Sequence, residues 1–264
     1  MLDLHVGLIG AGHMAGALVR AFVKILPAEN ITLSCPDPEL LAPFEAMGCR
    51  TCCDNAGTVA SSDLTILAVR PAVVETVLRE ISPVCGGKCF LSVAAGVSIG
   101  FIQSLLPGAH IMRVMPNTPA SVGLGAAALA ISPDVPPETG KAAVALFESA
   151  GIVELMQEEL FDTVTALSGS GPAYFFRMAA VMADWAHERG MDYGAALRFA
   201  AQTMAGSAAM IERSGKSPGR LASDVAVPGG TTRAAFDVFD SRLWDDGLRA
   251  AMEGCAGRAA ELGR

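Results

Sequence analysis

The chain predicts a doubly wound, parallel α/β sheet of Rossmann type followed by an all-helical domain. Three observations carry that reading. Strand-like and helix-like segments alternate through the first half, a glycine turn joins the first strand to the first helix, and strand signals stop after about residue 155.

Residues 4–9 form a short apolar strand, Gly10-Ala11-Gly12 a turn, and residues 14–25 a helix with Met14, Leu18, Ala21, Phe22 and Ile25 on one face. A second strand at 31–34 is stopped by Pro36 and Pro38. Residues 64–69 form a continuous apolar run bounded by Asp63 and Pro71, the pattern of a strand buried on both faces. Further strands are expected at 89–93 and 110–115, each leading into a Gly- or Pro-marked loop. Beyond them, residues 172–189, 193–213, 232–239 and 243–262 show helical spacing with frequent Ala, which favours helix and lets helices approach closely. The expected division is 1–155 for the sheet domain and 156–264 for the helical one.

The 264 residues carry 19 Lys+Arg against 27 Asp+Glu, a net charge of −8, and 52% are hydrophobic against 17% charged. A chain so apolar has ample core-forming material and is not disordered. Its acidic balance, without a basic run, argues against a nucleic-acid partner. The most apolar stretches fall short of the ~18–20 residues a spanning helix needs, so no membrane segment is expected. The first residues have no basic run before an apolar core, and the expected location is the cytoplasm. The apolar fraction also suggests surface covered in a homo-oligomer.

Seven cysteines include a Cys49, Cys52, Cys53 cluster and the pair Cys85 and Cys89. The four histidines are scattered singly, and no second CxxC accompanies the cluster. Buried, reduced thiols are expected, and no metal site.

Chemistry is concentrated in two glycine-bearing turns. Gly10-Ala11-Gly12-His13-Met14-Ala15 is a GxGxxA fingerprint between first strand and first helix. Gly10 permits the tight turn, Gly12 lets a pyrophosphate approach the backbone, and Ala15 lets helix and strand pack closely. The helix start adds free N–H groups and the positive end of its dipole. A dinucleotide is the expected ligand. The tip of the second strand, Ser34-Cys35-Pro36-Asp37, has neither the acid that favours NAD nor the arginine that favours NADP, so the residues leave that choice open. The second turn, Val227-Pro228-Gly229-Gly230-Thr231-Thr232, runs into a helix. It is either an anion cradle or a plain glycine turn with Thr231 or Thr232 as N-cap.

Seven blocks occur in order: GLIGAGHMA from Gly7, LAVRP from Leu67, AAGVS from Ala94, RVMPNTP from Arg113, TALSGSGPAY from Thr165, AAQTMAG from Ala200 and PGGTT from Pro228. Together they resemble pyrroline-5-carboxylate reductase, over nearly the whole chain. TALSGSGPAY and PGGTT are its most specific blocks. The resemblance implies reduction of the cyclic imine 1-pyrroline-5-carboxylate to L-proline, the last step of proline synthesis. The donor would be NADPH, with NADH as the alternative. It implies a dimer, or an assembly of dimers, interlocked through the helical domain, with the active site between one subunit's dinucleotide domain and the partner's helices.

By the same resemblance, Gly7, Leu8, Ile9, Gly10, Ala11, Gly12, His13 and Met14 would form the pyrophosphate turn, with Ala15 behind it. Ser34 and Asn55 would lie at the adenosine ribose. Ala68, Val69, Arg70 and Pro71 would border the nicotinamide ribose, with Ala94, Ala95 and Gly96 beside the nicotinamide. Met115, Pro116, Asn117 and Thr118 would line the pocket floor. Gly230, Thr231 and Thr232 would hold the substrate, with Asp224 close by and Thr232 as the catalytic residue. Three positions depart from the family pattern: Arg70 stands where Lys is common, Val227 replaces a serine, and Pro36 replaces an arginine near the 2′-phosphate.

Other conspicuous residues have plainer expected roles. Ser170 or Gly171 would cap a helix with Pro172 in its first turn. Glu158 and Glu159 would start a helix, His187 would pack or face solvent, and Trp185 and Trp244 would be core or interface. A 3-hydroxyacid dehydrogenase is disfavoured, because no lysine lies between Lys141 and Lys216 to serve in proton transfer. A coenzyme F420-dependent NADP reductase would share the first turn but give no reason for the PGGTT domain. A dinucleotide sensor would need no second anion cradle.

Overall fold

The computed structural model describes residues 2–263. Two compact units divide the chain: one runs up to Pro172 and resumes at Cys255, the other is Ala173–Gly254.

The first unit holds an eight-stranded sheet, β1 (Val6–Ile9), β2 (Ile31–Ser34), β3 (Arg50–Cys52), β4 (Leu64–Leu67), β5 (Cys89–Ser92), β6 (His110–Met115), β7 (Gly125–Ile131) and β8 (Gly151–Leu155). Its order is β3-β2-β1-β4-β5-β6-β7-β8, parallel throughout except for the antiparallel β6–β7 pair. The intervening helices are α1 (His13–Phe22), α2 (Pro38–Glu45), α3 (Asn55–Ala60), α4 (Pro71–Ile81), α5 (Ile99–Leu105) and α6 (Pro137–Glu148).

Successive strand residues point to opposite faces, which divides the core in two. Leu8, Ile66, Leu91 and Met112 join one cluster, which includes Leu18 and Phe22 of α1 and Phe147 of α6. Their neighbours Ile9, Leu67, Phe90 and Ile111 join the other, with Val74 and Leu78 of α4 and Ile102 of α5. Phe22 and Phe147 meet edge to face with centroids 5.7 Å apart, a geometry that adds to the area term. The doubly wound sheet expected from the alternation is therefore present. Strands β3, β7 and β8 lie outside the sequence expectation. β3 is three residues of mixed polarity, and β7 reads as an Ala-rich run with no alternation.

After β8 come a short helix α7 (Phe161–Val164), a π turn at Thr165–Gly169, and α8 (Gly171–His187). Then follow α9 (Tyr193–Arg213), α10 (Pro218–Val225), α11 (Thr231–Ser241) and α12 (Trp244–Leu262). Pro172 takes the second position of α8, where its missing N–H costs nothing. Helix α10 lies outside the helices expected from the sequence. In the structure Ser217 accepts from Arg220 N and caps it.

Trp185 and Trp244 are 59% and 42% exposed, so neither is core within the chain. On α8, Phe175, Phe176 and Val181 are open to solvent as well, and on α9 Phe199 is 68% exposed. His187 faces solvent, as expected, and its Nδ1 donates to Met191 O at 2.9 Å. All seven cysteines are unpaired; Cys35, Cys49, Cys85 and Cys89 are buried, whereas Cys53 is exposed. Among the described residues no helix is long and apolar enough to cross a membrane, and no cluster could hold a metal ion.

Candidate active site

A cleft of about 850 Å³ opens at the carboxyl ends of the parallel strands in the first unit. In the order β3-β2-β1-β4-β5-β6 the chain reverses direction between β1 and β4, the switch point at which such sheets bind ligands. Gly10 follows β1 and donates to Ser34 O at 2.8 Å, while Ala68 follows β4 and donates to Ile9 O at 2.8 Å. The two strand ends are thereby pinned on either side of the opening.

Gly10 has φ +106°, and a Cβ there would meet Ala68 O at 2.5 Å, so both its conformation and its surroundings require glycine. Gly12 is the N-cap of α1, without a side-chain cap, and a Cβ added there would meet nothing within 4 Å. The open space and the uncapped N–H groups of a ten-residue helix fit a dinucleotide pyrophosphate.

The cleft brings together most of the expected cofactor residues: Ile9, Gly10, Ala11, Gly12, His13 and Met14; Ser34 and Asn55; Ala68, Val69, Arg70 and Pro71; Ala94 and Ala95. Met115, Pro116, Asn117 and Thr118 line it too. Three expected residues do not. Leu8 is fully buried in the core. Gly7 is crowded by Ser62 Oγ and Thr58 Cγ2 of the α3 region, so its smallness serves helix packing. Gly96, at φ +72°, would place a Cβ 2.9 Å from Leu262 O, so it accommodates the end of α12. Sequence reading missed Cys35, Cys53, Thr76, Glu80 and Gly169 as lining residues. Gly169 belongs to the TALSGSGPAY block, whereas Glu80 arrives only through the register of α4.

At one end, Ser34 Oγ donates to Asn55 Oδ1 at 2.7 Å, and Asn55 Nδ2 donates to Glu80 Oε2 at 2.9 Å. At the other, Asn117 is 7% exposed with both ends of its amide engaged. Nδ2 donates to Ser168 O at 3.1 Å, and Oδ1 accepts from Ala126 N at 2.9 Å. It therefore clamps the Met115–Thr118 floor to the π turn. Gly169 of that turn lies against Met115 Cε, where a Cβ would sit at 2.5 Å.

Ser170, directly before α8, accepts from Cys255 Sγ at 3.2 Å. Glu158 does more than start a helix. Its Oε1 accepts from Ile99 N and from Arg113 Nη1, both at 2.8 Å.

Asp224, Gly230, Thr231 and Thr232 belong to the second unit. Gly229 has φ +74°, Gly230 is the N-cap of α11 with no side-chain cap, and Thr231 and Thr232 are the first two helical residues. Neither threonine is the N-cap, so that alternative falls. Arg233 is occupied by Asp237 and Asp240 at 2.6 and 3.1 Å, which leaves the uncapped N–H groups of α11 as the local attraction for an anion. Asp224 pairs with Lys216 at 2.8 Å and Arg220 at 2.9 Å. The Lys216 hydrogen bond, foremost, holds its carboxyl below the usual range.

Residues 158–262 match the family described as pyrroline-5-carboxylate reductase dimerisation, and residues 5–96 match NADP oxidoreductase, coenzyme F420-dependent. Pyrroline-5-carboxylate reductase of Methanosarcina acetivorans is 39% identical over 99% of this chain and 97% of its own. Pyrroline-5-carboxylate reductase 3 of Macaca fascicularis is 37% identical over 98% and 96%. Among solved structures, the Plasmodium falciparum pyrroline carboxylate reductase with NADP bound superposes with TM-score 0.92 at 25% identity, covering all of both chains. The Coxiella burnetii pyrroline-5-carboxylate reductase does so with TM-score 0.91 at 29% identity, again over all of both chains.

Proposed function

The chain belongs to the pyrroline-5-carboxylate reductase family, and from that we propose that it reduces 1-pyrroline-5-carboxylate to L-proline with NAD(P)H, as a homo-oligomer. The observation that carries this is the pairing of two anion-binding helix starts. One opens α1 at the dinucleotide cleft, and one opens α11 at Gly230-Thr231-Thr232. A protein that only sensed the dinucleotide would need the first alone.

The bound cofactor supplies the hydride; the residues of the chain supply position. The N–H groups of α1 and its glycine turn hold the pyrophosphate, and Ser34 and Asn55 hold the adenosine ribose. Ala68–Pro71 and Ala94–Ala95 border the nicotinamide end. The N–H groups at the start of α11 hold the substrate carboxylate, and the Thr232 hydroxyl hydrogen-bonds the ring nitrogen. The C=N π pair becomes the new N–H bond as the imine carbon accepts the hydride, so one proton at that nitrogen balances the step. A protonated imine is strongly electrophilic, and orientation is the main demand on the protein. Asp224, kept anionic by Lys216 and Arg220, ties α10 to the residue stretch before it and is not the proton source.

In this reading residues 1–155 bind the cofactor, and residues 156–264 bind substrate and form the dimer, with each site completed by the partner's helices. The exposed Phe175, Phe176 and Trp185 support that assembly. The cytoplasm is the proposed compartment, supported by seven unpaired thiols. The net charge of −8 speaks against a nucleic-acid partner.

The test is oxidation of NADPH, then NADH, at 340 nm with the purified protein. Oxidation that depends on the cyclic imine and yields proline establishes the reaction. Dinucleotide binding without such turnover would leave a sensor.

A further inference from the structure

The end of the cleft beside β2 and β3 has an uncommon electrostatic character. Ser34 ends β2 and pairs in register with Cys52 at the end of β3, and Cys53 and Asn55 follow directly. The lining there includes Ser34, Cys35, Pro36, Cys53, Asn55 and Glu80. None of these can carry positive charge, and one is a carboxylate. The tip of the second strand is where a dinucleotide fold meets the adenosine ribose, and where a 2′-phosphate calls for a cation. The carboxylate is held in place: Asn55 Nδ2 donates to Glu80 Oε2 at 2.9 Å, and Asn55 Oδ1 accepts from Ser34 Oγ at 2.7 Å.

Building on the dinucleotide reading of this cleft, we propose that Glu80 is a specificity-determining residue at the 2′ position. It favours a free 2′-hydroxyl and disfavours a 2′-phosphate, so that NADH is bound at least as tightly as NADPH and both serve as donors. The reasoning is one of charge. A 2′-phosphate brings up to two negative charges next to a carboxylate, and none of these six lining residues is a cation that could offset them. A 2′-hydroxyl brings no charge, and its two hydrogen-bonding functions suit the Ser34–Asn55–Glu80 chain. Glu80 also fixes the Asn55 amide, so the side chain that would meet the ribose is presented in one orientation.

Glu80 is exposed on α4, so its substitution leaves the core untouched. Glu80→Gln keeps an acceptor for Asn55 and removes only the charge; Glu80→Lys reverses it. The probes are AMP and 2′-phospho-AMP, titrated calorimetrically into the full-length protein, with NADH and NADPH followed in parallel by nicotinamide fluorescence. The wild type is expected to bind AMP at least as tightly as 2′-phospho-AMP. Glu80→Gln should move that ratio about tenfold toward the phosphorylated form, less at high salt, and Glu80→Lys further. A wild type that prefers 2′-phospho-AMP, with a ratio unmoved in both variants, overturns the assignment. Imine-dependent turnover would then still stand. Absence of binding by all four probes overturns the assignment and the dinucleotide reading together.

Discussion

Arg113 Nη1 donates to Glu158 Oε1 at 2.8 Å, 45 residues along the chain, and that same oxygen accepts from Ile99 N at 2.8 Å. One carboxylate thus ties β6 to the N-terminus of α5, the helix that follows the Ala94–Gly96 loop. The Arg113 side chain is 8% exposed and lies over the Phe161 ring at 4.8 Å. Removing Glu158 would strand a buried guanidinium and an N–H at once. Glu158→Ala should cost about 3 kcal/mol, the scale for breaking a buried ion pair, read from urea unfolding. A loss no larger than that of an exposed pair, below about 1 kcal/mol, would refute the structural role.

Gly7 within β1 and Gly12 after it separate folding from binding. Gly12→Val adds a side chain in open space, so the fold should keep its stability while the cleft loses room for a pyrophosphate. Dinucleotide affinity should fall by about 10²-fold or more, the scale of losing positioned phosphate contacts. Gly7→Val instead collides with Ser62 and Thr58, and should unfold or fail to accumulate. Equal behaviour of the two in thermal melts and dinucleotide titrations would contradict the distinction.

Why these glycines read alike in sequence and differ in space bears on what the chain made legible. The GxGxxA turn, the β1, β2 and β4 strands and the long helices α8 and α9 carry local signals: hydrophobic period, turn residues, caps. The lining by the Gly10–Gly12 turn follows from them, whereas that by Ala68–Pro71 was implied by the resemblance. Glu80 and Cys53 enter through the way separate elements meet, which no local pattern encodes. Gly96 shows the reverse. Its motif signal was real, yet its partner is the carbonyl of Leu262, 166 positions away, known only once α12 is in place. Asn117 was legible as part of the floor, but its engagement by Ser168 and Ala126 was not.

Thiol chemistry should follow burial. Burial pushes the Cys49 thiol up to about 11, and Cys85 and Cys89 upward as well, while Cys53 is exposed and lines the cleft. Iodoacetamide near pH 8 should therefore label Cys53 and spare Cys49, and saturating dinucleotide should protect Cys53, as mass spectrometry of tryptic peptides would show. For stability the sign follows from the proton count. The folded Cys49 keeps its proton where the unfolded thiol, near 9.0, has lost it, so this contribution is whole below pH 9 and declines toward about 11. Cys49→Ala should flatten that alkaline loss; an unchanged slope would remove Cys49 from it.

Assembly should be as sensitive as chemistry. Phe176 and Phe199 are 67% and 68% exposed, a cost that association would relieve. Phe176→Asp with Phe199→Asp should shift sedimentation toward monomer and lower imine-dependent turnover in proportion, since each proposed site needs the partner's helices. A monomer with full turnover would place the whole site within one chain.

In the proposed reaction Thr232 touches the imine, and Asp224 stands close by. Thr232 is the second residue of α11 and is not its N-cap, so the hydroxyl is free of a capping duty. Thr232→Ala should lower kcat by about 10²-fold, the scale of losing one positioned donor, with dinucleotide affinity unchanged. Asp224 carries a depressed pKa because Lys216, foremost, and Arg220 stabilise its anion, so it is ionised at neutral pH and has no proton to give. Asp224→Asn should weaken its ion pairs with Lys216 and Arg220 and raise KM for the imine while leaving the acidic limb of the kcat profile where it was. Were that limb to move instead, Asp224 would be the proton donor and Thr232 merely its neighbour. Thr232→Ser would decide the same point independently, since a retained hydroxyl should restore most of kcat.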